Sequence, residues 1–572
     1  MNRNRLIFMC VLAVGIVFTS CDPLKKMKQG AEDVKYTVNP PVLELVGNEV
    51  AISVNGSYPA NYFNRNVVVT LTPTLKSGNN ELDFDVYKVQ GENVKENNKV
   101  IKYEGGTFSY ASKVAYNPQF QLSELMLKAT GSVPKKNKSL DFDPYKLADG
   151  IVTTCLLVEK NGKSTFADDK FVRITPDSFE ADIKYLIQQS EVRTAETRKS
   201  EIVDFTNAVK AAAANERAQF TGTQLSAYAS PDGPLDLNEK LSSSREKTAK
   251  DFFARNFKAA KVEEVMKSDL LKTVVTPEDW DGFKTLMEQS TVRDKELILR
   301  VLSMYSDPEV REREIKNIAA AYEEIKDKIL PQLRRSKMQV NIEIIGLSDD
   351  EINAQFDSDP SKLKLEEILY AGTLTQDANR KVAIYQAAAR YYPNDFRTKN
   401  NLGAALLNVN RTSEAKTALN EAKSIDNNNF VKNNLAVVAL REGDLAAAED
   451  LLNSAGSADE VKFNLGTIKI IEGKYGDAMN FFGNQVEVNA ALAKLLAKQN
   501  DAALSTLNSV KSDDALVYYL KAIVGARTQN TDLLMNNLRT ACSKSAELKA
   551  NAKKDVEFGK YFEDNTFKSI VN

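Results

Sequence analysis

Histidine is absent from all 572 residues, which removes at once the commonest general base and the commonest side-chain metal ligand. Serine–histidine–aspartate and cysteine–histidine catalysis are excluded with it, as are zinc sites built on imidazole. Cysteine is nearly as scarce, with only Cys10, Cys21, Cys155 and Cys542 and no CxxC spacing among them. No thiolate metal cluster is expected. Charge of one sign is lacking too, because 76 Lys and Arg face 78 Asp and Glu. Without a basic surplus nucleic acid is not an expected partner, and without an acidic tail no solvated disordered arm is expected. No cofactor and no metal are expected.

What is present is enough chain, 43% of it apolar, to bury several cores, and the length predicts three or four domains. The first twenty residues, MNRNRLIFMCVLAVGIVFTS, carry Arg3 and Arg5 ahead of an apolar run, the pattern of an export signal. The run ends FTSC and resembles a bacterial lipobox, in which Cys21 becomes the acylated first residue of the mature chain. That resemblance implies palmitate-type acyl chains holding the protein on a membrane, each buried CH₂ contributing about 0.8 kcal/mol. Beyond the leader no second run is long and apolar enough to cross. A polar tether over 21–33 follows without an acidic run, which favours an outer-membrane anchor facing the periplasm. Cys155 and Cys542 are expected in different domains, as buried small hydrophobes and not as a disulfide.

Residues 34–175 read as an all-β sandwich: VVVTLTPTL is rich in β-branched residues, AISVNGSYP sets Asn55-Gly56 where a tight turn is expected, and IVTTCLLVEK reads as a further strand. Residues 360–565 carry a repeat. Leu402, Leu435 and Leu465 stand 33 and 30 residues apart, each followed by a small residue (Gly403, Ala436, Gly466) and, thirteen positions on, by Ala415, Ala448 and Ala478. Small residues there let antiparallel helices approach closely. The pattern resembles the tetratricopeptide repeat and predicts an all-α solenoid of five degenerate units, running from Tyr370, Ala371 and Ala383 down to Leu492 and Leu520. Its long helical ridges suit a protein partner better than a closed, water-free reaction pocket.

Between them, residues 176–350 read as α/β: a strand in ADIKYLIQQSEVR, a helix with Ile202, Phe205 and Val209 on one face, a strand in QLSAYAS, a helix, and a last strand in SKMQVNIEIIG. Asp236 and Glu239 have capping-box spacing for the second helix. Asn238, Leu241, Ser242 and Arg245, with Ala249, Phe252 and Phe253 further along, resemble the Asn-x-x-Leu-Ser-x-x-Arg signature of the OmpA C-terminal-like domain. The resemblance implies a peptidoglycan site in which the arginine and a loop aspartate grip the charged end of diaminopimelate. Ser230 stands where that aspartate is expected, and Asp232 is the nearest acid. A helical insertion over about 260–335 also departs from the pattern. Within it Trp280 is expected as a packing anchor, and Arg334 and Arg335 as a solvated helix end, the alternative being that they line the cleft.

Two functions follow, both non-enzymatic. One is an envelope scaffold that contacts peptidoglycan through the central domain and a protein through the repeats. The other is an accessory subunit of an assembly or secretion complex whose central domain has given up peptidoglycan. Convergence of Asp232 on Arg245 favours the first and divergence the second. A glycan hydrolase would need two carboxylates set 5 to 10 Å apart, and no acid is singled out by a motif.

Overall fold

The structure, a computed structural model, describes residues 22–572; the leader and Cys21 lie outside the described residues. Two compact units emerge. One combines the residues up to Ala167 with Tyr392–Asn572, and the other is Asp168–Tyr391. The division differs from the expected linear domains, because the β region and most of the repeats share one unit and the α/β region is inserted between them in sequence.

In the first unit a five-stranded and a seven-stranded sheet form the β region. Strand Glu49–Tyr58 alternates, with Val50, Ile52 and Val54 turned inward, as a half-buried strand must. They share one core with Val69, Leu71, Leu125 and Leu127 of the other sheet. Asn55-Gly56 is not a turn but lies within this strand, paired with Ser109 and Phe108. A Cβ on Gly56 would stand 2.0 Å from the Phe108 ring, so the glycine serves close approach and not chain reversal. The polar tether is partly helix Pro23–Gln29, whose Leu24 and Met27 enter the β core. After the short strand Ile151–Val152 the chain leaves the sheet through the turn Thr154–Leu157, so the expected strand there ends early.

The helices of this unit stack as antiparallel pairs: Phe396–Asn408 with Thr412–Ile425, Asn429–Glu442 with Leu445–Asn453, Asp459–Ile471 with Tyr475–Phe482, Val488–Leu496 with Asn500–Ser509, and Ala515–Arg527 with Thr531–Lys544. First helices of successive pairs touch one another, as in a tetratricopeptide-type solenoid. A Cβ on Gly403 or Gly466 would meet Leu419 at 2.5 Å or Phe482 at 2.8 Å, and Ala415, Ala448 and Ala478 are fully buried. The small residues therefore set helix spacing within each pair. The unit around Tyr370 and Ala383, helices Leu365–Ala371 and Ala378–Tyr391, belongs to the second unit instead. Cys155 and Cys542 are buried free thiols of one and the same unit.

The second unit holds a mixed four-stranded sheet. Strand Ile174–Lys184 runs antiparallel to Arg335–Ile345, that strand antiparallel to Ala218–Tyr228, and that one parallel to Leu271–Thr276. Helices Ser200–Ala213 and Leu235–Ala260 lay Ile202, Phe205, Val209, Phe253 and Phe257 on Ile183, Leu225, Met338 and Val340. The strand Leu271–Thr276 occupies part of the expected insertion, so the inserted helices begin at Trp280. They carry their own core, in which Phe283, Met287, Ile298, Ile325 and Leu333 meet with Trp280 at its edge.

Candidate functional site

The strand Ala218–Tyr228 delivers the loop Ala229–Pro234 to the helix Leu235–Ala260. Pro234 occupies the N-cap and makes no side-chain cap, so Asp236 lies inside the first turn and forms no capping box. Along the helix the inward positions are Asn238, Ser242, Arg245, Ala249, Phe253 and Phe257, at spacings of three and four that keep one face. The motif's polar residues thus face the interior while Leu241 is half-buried. Each of the three completes main-chain hydrogen bonding: Asn238 Nδ2 donates to Gly233 O at 3.0 Å, and Ser242 Oγ to Asn238 O at 2.7 Å.

Arg245 is 1% exposed. Its Nε donates to Gln189 O at 3.0 Å and its Nη1 to Tyr228 O at 2.9 Å, with the guanidinium 5.1 Å from the Tyr185 ring. Burial pushes its pKa down to about 10, which leaves it cationic at neutral pH. Nη2 has no hydrogen-bond partner among the described residues.

Asp232 does not pair with Arg245. Its Oδ2 lies 2.9 Å from Arg334 Nη2, Arg334 Nε donates to Ser230 Oγ at 3.1 Å, and Ser230 Oγ donates to Asp232 Oδ1. Arg334 is therefore a buried ion-pair partner, 8% exposed, and not a solvated helix end. Arg335 likewise sits 2.9 Å from Asp279 and 4.5 Å from the Tyr228 ring centroid. The Asp232 charge helps raise the pKa of Lys316 and of Tyr322 in the inserted helices, so the insertion borders this cluster.

The first unit contains a second site that the sequence reading missed. Residues 158–167 form an extended strap across the first helices of four successive pairs. Asn489, Asn464, Asn434 and Asn401 each grip one strap residue at two points, accepting from its N–H through Oδ1 and donating to its carbonyl through Nδ2. The distances are 2.9 and 2.8 Å at Glu159, 2.7 and 2.9 Å at Lys163, 2.7 and 2.7 Å at Thr165, and 2.7 and 2.9 Å at Ala167. Asn433 and Asn400 add bonds to Lys163 O and Thr165 O at 3.0 and 3.3 Å, and the amides bond to one another through Asn464 to Asn433 and Asn434 to Asn400. All six asparagines are at most 2% exposed.

Each amide imitates a neighbouring β-strand, and alternate strap residues 163, 165 and 167 meet successive helices. Buried amides left unpaired would cost about 1–3 kcal/mol each, whereas each bond made contributes about 0.5–1.5 kcal/mol. The array is thus built for an occupied state. Its sequence signal was an asparagine directly before Leu402, Leu435 and Leu465, a polar residue recurring at an inward position. The face expected to be open for a partner is filled by the chain itself.

No protein-family model matches the sequence, and no curated protein does. Among solved structures the chain is similar to a tetratricopeptide repeat protein from Parabacteroides merdae ATCC 43184, at 11% identity over 39% of this chain and 89% of that one, with a TM-score of 0.29. PilW, a type IV pilus biogenesis factor, is similar at 14% identity over 39% and 89%, with a TM-score of 0.22. The APC/C hetero-tetramer Cut9–Hcn1 is similar at 15% identity over 60% and 66%, with a TM-score of 0.30.

Proposed function

We propose that the protein is a non-enzymatic scaffold of the bacterial envelope, acylated at Cys21, held in the outer membrane facing the periplasm, and acting through polypeptide contacts as an accessory to assembly or secretion. The observation that carries this reading is the asparagine array, a binding device directed at peptide main chain. The OmpA-like resemblance of the central unit fits a periplasmic location. Its loop acid, engaged by Arg334 and bordered by the insertion, supports the accessory reading over cell-wall binding. Peptidoglycan contact keeps one supporting observation, the unpartnered Nη2 of buried Arg245, which would suit an anion.

Cross-linking in intact cells followed by mass spectrometry should return envelope proteins joined to the solenoid helices. Isolated sacculi should bring down wild-type protein and an Asp232→Asn variant equally poorly. Strong pull-down by the wild type that Asp232→Asn loses would restore the peptidoglycan reading. Changing Cys21 to Ala should move the protein from the carbonate-washed membrane pellet to the supernatant, and retention in the pellet would refute the anchor.

A further inference from the structure

We infer that the asparagine groove is an exchange site, in which the strap 158–167 is a resident ligand that yields to an extended segment of a partner protein read through its main chain. The inference deepens the protein-contact reading above and rests on it. Its first support is the kind of contact made. None of the four two-point grips uses a strap side chain, so any extended chain can offer the same atoms. Its second support is the strap's own composition. Only Val158 and Ala167, at its two ends, are buried, Lys160 and Asn161 are exposed, and Gly162 to Phe166 are half-buried. The deep apolar anchors of the strap are thus at its two ends, and the gripped stretch between them is held chiefly through its main chain.

The buried amides also dictate how exchange proceeds. An emptied array would strand six asparagines, so replacement must be chain for chain, with the entering segment taking over grips as the strap gives them up. Side-chain demands are few and local. Gly162 adopts φ +66° with Val437 methyls 3.0 and 3.1 Å from a would-be Cβ, which favours glycine in the entrant. Lys163 pairs with Glu487 and lies 4.6 Å from the Phe463 ring centroid, which favours a cation next. The partner segment is thus extended, carries glycine followed by a basic residue, and runs antiparallel to the order of the helix pairs.

The test uses the full mature chain and a fluorescent peptide with the sequence of residues 158–168. Thr165→Pro removes the N–H that Asn434 accepts and should weaken the resident strap alone. Peptide affinity should rise about tenfold or more over wild type, and fall back in Thr165→Pro/Asn434→Ala. A peptide carrying Glu at the Lys163 position should bind about tenfold more weakly. Failure of Thr165→Pro to bind, or equal binding by the double variant, would overturn the proposal. So would a wild-type dimer that the peptide dissolves, since a second copy would then be the occupant.

Hydrogen exchange on the wild-type chain gives an arm that needs no variant. The amides of Lys163, Thr165 and Ala167 should exchange by an opening that leaves the solenoid helices protected. Exchange of all of them only in global unfolding would refute exchange. That outcome would leave the scaffold reading standing, because cross-linked partners on other surfaces of the solenoid would still appear.

Discussion

Asp555, 1% exposed, accepts from Tyr519 Oη at 2.7 Å and from the Glu557 amide at 3.1 Å. Burial raises its pKa from the ordinary 3.8 to about 6, with the Glu557 charge acting in the same direction. A raised carboxyl favours the folded state in its neutral form, so its contribution is full below pH 3.8 and is lost as pH rises through about 6. The loss is on the order of 3 kcal/mol, and Asp555→Asn should flatten urea-measured stability across that window. At Arg245 the outcome is different from a pure binding defect. Alanine there removes the donor from Gln189 O and Tyr228 O and opens a cavity, costing about 2–5 kcal/mol in denaturant titration. The residues of the motif were legible in the sequence, but their direction was not. Ala249 and Phe253 enter the core as apolar residues do, but Leu241 and Phe252 stay half-buried while Asn238, Ser242 and Arg245 share the buried face, where the Gly233, Gln189 and Tyr228 carbonyls take donors.

Helices were legible because a period of three to four residues is local. The strap was not, since Thr165 and its clamp Asn434 lie 269 residues apart and an extended segment has no periodicity to read. The β-branched run ending at Val158 looked like one more strand, and the strand-like pairing it finds is with side-chain amides instead of a backbone. Replacing Asn434 by Leu keeps helix propensity and removes both grips on Thr165. The expected result is a loss of about 1–3 kcal/mol, with faster amide exchange confined to residues 163–167 and an unchanged helical circular dichroism signal. Unaltered exchange in the strap would mean that these bonds do not hold it.

At the scale of the molecule, composition showed what kind of chemistry to exclude, and the repeat spacing showed the solenoid. Neither showed that the β region and the solenoid share one unit. Val158 enters the solenoid core, Tyr475 and Leu496 pack on the β core, and Thr154 donates to Glu557, which also holds Arg527. Residues 360–565 produced alone would lack both the strap and this support. They should melt below the intact protein and recover stability on addition of the strap peptide. The seat of the strap in the asparagine groove can be read by proximity. Ser164 Oγ donates to Asn408 Oδ1 at 2.9 Å, so a chain produced from residue 22 with Ser164→Cys and Asn408→Cys should be joined within one molecule by a short bismaleimide, the buried Cys155 and Cys542 reacting slowly. Mass spectrometry should find residues 164 and 408 linked in nearly every chain. Free labelling of both introduced thiols, with no link between them, would mean that the strap does not lie in the groove.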